Sequence, residues 1–201
     1  MFDAKRLMGL VVLCALVLPV AAMAITEPKT KTEYPDQVTV TTGTGDVTLV
    51  ATGVGLREKT FAKVDVYSIV SYVAEGTDLG NEKGHGLVTA DVPKRIRMDL
   101  RRGFSRDKLI AAFEDVIEKN YDDMSAFADD MAAFFAYFER DAEEKDELIF
   151  DYLPGHGLTS TLNGEVKGTI ANTAFVEALW TVWFGKKPAN GGLKKDLLKA
   201  L

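Results

Sequence analysis

The chain has little of several things that chemistry usually needs. Its 201 residues include one cysteine and two histidines. The cysteine, Cys14, lies inside an N-terminal apolar run, so removal of that run leaves a domain with no disulfide and no thiolate metal site. His85 and His156 each stand beside or between glycines in loop-like sequence, which excludes a histidine-based triad or metal cluster as an expectation. There is no Gly-x-Ser-x-Gly elbow, no phosphate-cradling glycine loop and no His-Glu-x-x-His. No catalytic set, metal or cofactor is therefore expected. Nor is positive charge in surplus: the net charge is −6, which argues against nucleic acid as a partner and against non-specific attraction to anionic membrane.

The N-terminus reads as an export signal. Lys5 and Arg6 precede the apolar run Leu7 to Val20, and Ala22-Met23-Ala24 offers small residues at both positions a signal peptidase reads. The expectation is cleavage after Ala24, a periplasmic or otherwise exported location, and no stable membrane anchor afterwards. Loss of residues 1–24 removes two basic residues and one acidic one, taking the net charge from −6 to −7. Residues 25–33, polar and unpatterned, read as a flexible lead-in, and 34–201 as one domain. That length suits one substantial core.

Within it, Gln37 to Thr42 and Val47 to Thr52 flank a Gly43-Thr44-Gly45-Asp46 turn, and Phe61 to Val73 forms a longer strand. Glu75 to Gly86, with four glycines, reads as a loop. Arg95 to Arg101 alternates apolar Ile96, Met98 and Leu100 with charged neighbours, so its arginines belong to the wet side of a half-buried strand. Ser105 and Ser125 are placed as N-caps of two helices, the second carrying the stripe Phe127, Met131, Phe134, Phe135 and Phe138. Three more strands follow: Leu148 to Leu153, Gly157 to Leu162 and Glu165 to Ile170. Asn163-Gly164 turns the last pair. Asn172 caps a helix ended by Gly185, and Leu193 to Leu201 closes the chain as a short helix. Strands, helices, strands, helices is an α+β order, with helices on one face of a mostly antiparallel sheet. The acidic stretch Glu139 to Glu147 reads as solvated helix end.

One segment departs from this plain account. Gly53-Val54-Gly55-Leu56-Arg57 leads into Val64-Asp65-Val66-Tyr67. An arginine fork suits a carboxylate or enolate because it donates two parallel hydrogen bonds. On one straight strand Arg57 and Tyr67 would stand about 33 Å apart at ~3.3 Å per residue. They can share a ligand only if the chain reverses near Glu58 to Thr60, which the polarity there allows without requiring it.

That segment, with Glu33-Tyr34-Pro35, Asp91-Val92-Pro93-Lys94-Arg95-Ile96, Phe104-Ser105-Arg106-Asp107-Lys108-Leu109 and the closing Leu179 to Pro188, resembles the chalcone isomerase superfamily. It looks closest to the bacterial chalcone isomerase-like branch, and the likeness spans residues 34–188. The resemblance implies an open-faced β-sandwich, a long antiparallel sheet with helices on one side and a ligand cleft between. Catalytic members cyclise a chalcone with an arginine helped by polar groups around the cleft. Of these the resemblance carries over only the arginine, as Arg57. The strand threonine falls at Tyr67 and the tyrosine that opens the first helix at Phe104. The asparagine falls at Ala111 and the late threonine at Val182, with Thr181 one place off. Losing groups that stabilise an oxyanion costs orders of magnitude in rate, so a non-catalytic relative is expected. Arg57 and Tyr67 also match the arginine and tyrosine that hold a lipid carboxylate in the fatty-acid-binding branch. The favoured ligand is accordingly a fatty acid or similar small apolar carboxylate, held by Arg57 and Tyr67 in a cleft bordered by Phe104, Ala111, Thr181 and Val182. Two alternatives stand beside it: an isomerase or intramolecular lyase acting on an enone through Arg57, and a ligand-free interaction protein.

Overall fold

A computed structural model describes residues 23–43, 45–59 and 64–201. The basic and apolar regions of the expected signal, and Phe61 at the head of the expected long strand, lie outside them. Seven strands form one antiparallel sheet in chain order: β3 (Gln37–Thr42), β4 (Gly45–Lys59), β5 (Val64–Ala74), β6 (Lys94–Leu100), β7 (Glu147–Leu153), β8 (Gly157–Leu162) and β9 (Glu165–Ile170). Five helices accompany it: α1 (Lys83–Thr89), α2 (Arg106–Asn120), α3 (Ala128–Ala136), α4 (Thr173–Phe184) and α5 (Gly191–Leu197). This is the expected α+β class.

Period-two alternation sorts the strands' side chains between two cores. Tyr67, Ile69 and Val73 of β5, Ile96, Met98 and Leu100 of β6, and Leu148, Phe150 and Tyr152 of β7 point to the helix side. There Phe113 of α2, Phe134 and Phe138 around α3, and Trp183 of α4 meet Phe150 in an aromatic cluster with ring centroids 5.3–6.2 Å apart. The aromatic stripe is thus largely core; Phe135 is only half-buried. On the opposite face Val70 and Tyr72 join Tyr34, Val40 and Leu49 in a smaller cluster. Arg95, Arg97 and Asp99 of β6 sit on that side, where Arg95 pairs with Asp151 at 2.5 Å and Arg97 with Asp99 and Glu147 at 3.0 and 2.8 Å.

Three sequence expectations need correction. Residues 25–33 are not a flexible lead-in: β1 (Ala24–Thr26) and β2 (Glu33–Pro35) pair as a hairpin over the outer face. Its turn is tied by the Glu27 carboxylate, which accepts the N–H of Lys29 (3.1 Å) and Thr30 (2.6 Å) and the Thr30 hydroxyl (2.6 Å). Burial pushes the Glu27 pKa up, but the Thr30 and Lys29 hydrogen bonds outweigh it and leave it lowered. Tyr34 anchors the hairpin, fully buried, with its hydroxyl donating to Ser68 at 2.9 Å.

The glycine-rich stretch 75–86 runs into α1 instead of staying a loop. Glycine is a poor helix former, yet a Cβ at Gly86 would lie 2.2 Å from the Leu79 carbonyl oxygen, so packing requires it. Ser125 does not cap α3; its N–H donates to Asp123 at 2.8 Å, and Phe127 takes the cap position. Ser105 does stand at the N-cap of α2, without a side-chain cap bond. Asn172 caps α4 through an acceptor bond from the Ala174 N–H at 3.0 Å.

Candidate functional site

The β4–β5 hairpin answers the question the sequence left open. Its register sets Arg57 directly opposite Tyr67, with a bulge just beyond, between Arg57 and Glu58. Directly opposed residues of an antiparallel pair share a face, their Cβ atoms about 5 Å apart. Both border a cavity of about 330 Å³ between the sheet and helices α2 and α4. Its walls are mostly apolar: Val66, Met98 and Leu100 from the sheet, Leu109, Phe113 and Val116 from α2, and Val182 from α4. The size lies at the small end of the range of about 300–1,000 Å³ usual for ligand pockets.

The glycines before Arg57 have a packing role. A Cβ at Gly53 would sit 2.2 Å from the Asp196 carbonyl oxygen, and one at Gly55 2.5 Å from Leu193. They let α5 press against β4 behind the cavity. Thr52 completes the seam, donating to the Leu197 carbonyl at 2.7 Å and accepting from the Ala200 N–H at 2.9 Å.

Arg57 and Tyr67 have donors to spare at this cavity. Arg57 is half-buried and donates through Nη1 to the Glu58 carbonyl at 2.5 Å. It forms no ion pair among the described residues, so most of its five N–H donors stay uncommitted. Tyr67 is only 9% exposed, and its oxygen accepts the indole N–H of Trp183 at 3.3 Å. No acceptor for the phenolic proton occurs among the described residues. Burial raises the Tyr67 pKa, against the smaller lowering effects of the Trp183 bond and the Arg57 charge. The phenol therefore stays protonated at neutral pH and can act as a donor, not as a base. A guanidinium fork beside a neutral O–H donor, at an apolar cavity, is a geometry for a carboxylate.

The structure divides the remaining sequence candidates. Phe104 and Val182 line the cavity. Ala111 does not: it is exposed on α2, and its neighbour Ala112 borders the space instead. Thr181 also faces elsewhere. Its hydroxyl donates to the Ala178 carbonyl at 2.6 Å, and it lines a polar groove of about 620 Å³ near the ends of α1, α2 and α4. Sequence reasoning missed Trp183, whose N–H fixes Tyr67; a buried tryptophan needing an acceptor was the signal available. Another depression, about 330 Å³ around Arg140, Asp146 and Lys167, holds charges that already pair with one another at 2.9–3.0 Å. Among the described residues no group of three or more His, Cys, Asp or Glu could hold a metal ion, and no helix is long and apolar enough to cross a membrane.

A family model described as chalcone isomerase-like matches residues 29–199. The chain belongs to the chalcone isomerase-like family. Its fold is shared with the crystal structure of a fatty-acid binding protein of Arabidopsis thaliana. The two superpose with a TM-score of 0.70 at 19% identity, over 88% of this chain and 96% of that one. None of the curated proteins compared matches the sequence. The resemblance read from the motifs thus gives both family and fold.

Proposed function

We propose that this chalcone isomerase-like protein is an exported, non-catalytic binder of a fatty acid or similar small apolar carboxylate. The carrying observation is the Arg57 guanidinium, with most of its donors uncommitted, opposite the Tyr67 hydroxyl, whose proton has no acceptor among the described residues, at one apolar cavity. The carboxylate takes two donors from Arg57 and one from Tyr67, and the chain displaces water from the apolar walls. Burying each methylene stabilises the complex by about 0.8 kcal/mol. Affinity is therefore expected to climb with chain length and to level off once the cavity is filled. Likeness of fold to a fatty-acid binding protein supports the same reading. Against catalysis, Phe104 and Val182 offer no hydroxyl, and the phenol of Tyr67 is held neutral.

The test is calorimetric titration with a series of fatty acids and their methyl esters. The acid is expected to bind more tightly than its ester, and only the acid should notice loss of Arg57. Equal affinities for acid and ester would sink the reading. Stereoselective cyclisation of a chalcone, abolished in Arg57→Ala, would replace it with the isomerase. Export rests on the Lys5-Arg6, Leu7 to Val20 and Ala22-Met23-Ala24 sequence of regions. N-terminal sequencing of protein from the native host is expected to begin at Ile25, which leaves the Ile25–Tyr34 pairing of the hairpin in place. Recovery of intact Met1 on membrane-embedded protein would refute it.

A further inference from the structure

Four more cations crowd the mouth of this cavity. Lys59 ends β4, Lys108 and Lys119 lie on α2, and all three line the opening; Arg102 borders the depression that adjoins it through Lys59, Phe104 and Lys108. All four are exposed, and Asp115 is the one acidic residue on the cavity lining. None of the four is in an ion pair among the described residues. Arg95, Arg97 and Arg140 elsewhere on the molecule all are. In a chain of net charge −6 such a local surplus is a polarised surface, not a reflection of composition. Apolar groups sit among the cations: Phe104, with the Arg102 guanidinium 5.4 Å from its ring centre, and Val64, 36% exposed and paired with Lys59 at the hairpin end.

One carboxylate is already satisfied by Arg57 and Tyr67, so the outer cations face no charge of the ligand we propose. Fatty acids partition into lipid, and a carrier must take them from a bilayer or return them to one. We infer that the cavity mouth is a docking surface for an anionic bilayer. The four cations are held by lipid phosphates while Val64 and Phe104 meet the acyl boundary, which brings the cavity opening to its ligand. Several basic side chains with apolar neighbours make the contact peripheral and reversible. This inference rests on the binding reading above.

The test is sedimentation of the purified protein with phosphatidylglycerol-containing vesicles and with pure phosphatidylcholine vesicles. Binding is expected on the anionic vesicles only and is expected to fade as salt shortens the screening length. Replacing Lys59, Arg102, Lys108 and Lys119 together by Gln should weaken it by about tenfold or more. Lys108→Gln with Lys119→Gln, two exposed sites on α2, gives a milder variant should the fourfold one not melt like wild type; a smaller loss in the same direction is expected. Binding that ignores salt, that is equal on phosphatidylcholine, or that survives both variants would overturn the proposal. So would a tenfold loss of fatty-acid affinity in vesicle-free solution by the fourfold variant, because the cations would then belong to the ligand's head-group site. Failure of the fatty-acid reading itself appears separately, as Arg57→Ala binding the free acid like wild type without any vesicle present.

Discussion

Two cations at opposite ends of the helix layer show how differently one kind of charge can be used. Lys94 opens β6 and is 1% exposed. Its ammonium donates to the carbonyls of Leu87, Val88 and Ala90 at 2.9, 3.0 and 3.0 Å, closing the C-terminal end of α1. It also lies 5.1 and 5.4 Å from the ring centres of Trp180 and Tyr152. All three protons are spent inside the protein. Arg57 is half-buried at the cavity and spends one donor on its neighbour's carbonyl. The lesson concerns satisfaction more than burial: a cation with its donors used is committed to the fold, and one with donors to spare is free to take an anion from outside.

The largest effect expected from this contrast is on Lys94. Lys94→Met leaves three carbonyls at a helix end without a partner, and should lower unfolding stability by about 3 kcal/mol or more. Ligand affinity should stay unchanged in the fraction that remains folded. A urea melt within about 0.5 kcal/mol of wild type would erase the distinction.

Arg57→Ala should do the reverse. Fatty-acid affinity falls by about 1.5–3 kcal/mol, the worth of a hydrogen bond to a charged group. Stability moves by no more than about 0.5 kcal/mol. Arg57→Lys should restore only part of the affinity, since an ammonium lacks the planar fork. A large stability loss in Arg57→Ala would make Arg57 a second Lys94.

The pH dependence of stability sharpens the contrast further. Burial lowers the Lys94 pKa to about 8, against smaller raising effects of Glu177 and Asp91. Between about 8 and the unfolded value of 10.5 the unfolded chain binds more protons than the folded one. The Lys94 contribution to stability is therefore expected to rise with pH across that window, by about 2 kcal/mol between pH 8 and 10. Near pH 10 an opposing slope enters. Burial raises Tyr72 to about 12 and pushes Tyr34 and Tyr152 higher still, so the unfolded chain then loses protons that the folded one keeps. Chemical denaturation at stepped pH reads this directly, and the rise below pH 10 should vanish in Lys94→Met.

The smallest effect belongs to Tyr67→Phe, expected to cost about 0.5–1.5 kcal/mol of affinity through loss of one neutral donor. A cost equal to that of Arg57→Ala would mean the phenol, not the guanidinium, carries recognition.

What the sequence made legible was local. Asn163 and Gly164, at φ 51° and 80°, form the turn their dipeptide announces, and the alternation of β6 matches its burial residue by residue. Asn172 caps α4 as expected. What stayed hidden depends on distant partners. Helix α1 is masked by Gly84 and Gly86, the second of which the Leu79 backbone makes necessary. The 25–33 hairpin looked unpatterned because its turn depends on a buried carboxylate, Glu27, and its anchor, Tyr34, on the far face of the sheet. The adjacency of Arg57 and Tyr67 needed the hairpin register, which polarity alone did not decide. Ala111 and Thr181 were misplaced by a single helical step, and one step rotates a side chain by about 100°.

Both tryptophans of the chain lie on α4, three residues apart. Trp180 rests against Lys94, and Trp183 bonds Tyr67 at the cavity. The protein thus carries its own optical label on the helix that roofs the site. Strand order follows chain order, and short connections join β3 to β4 to β5 and β7 to β8 to β9, while α1 lies between β5 and β6 and α2 and α3 between β6 and β7. Arg57 and Val182, by contrast, meet only when α4 arrives from far along the chain. Intrinsic fluorescence in a refolding trace should therefore report the arrival of that roof, later than a far-ultraviolet signal from the strands. In the Trp180→Phe background the remaining indole should respond to fatty acid and stay silent in Arg57→Ala at the same ligand concentration.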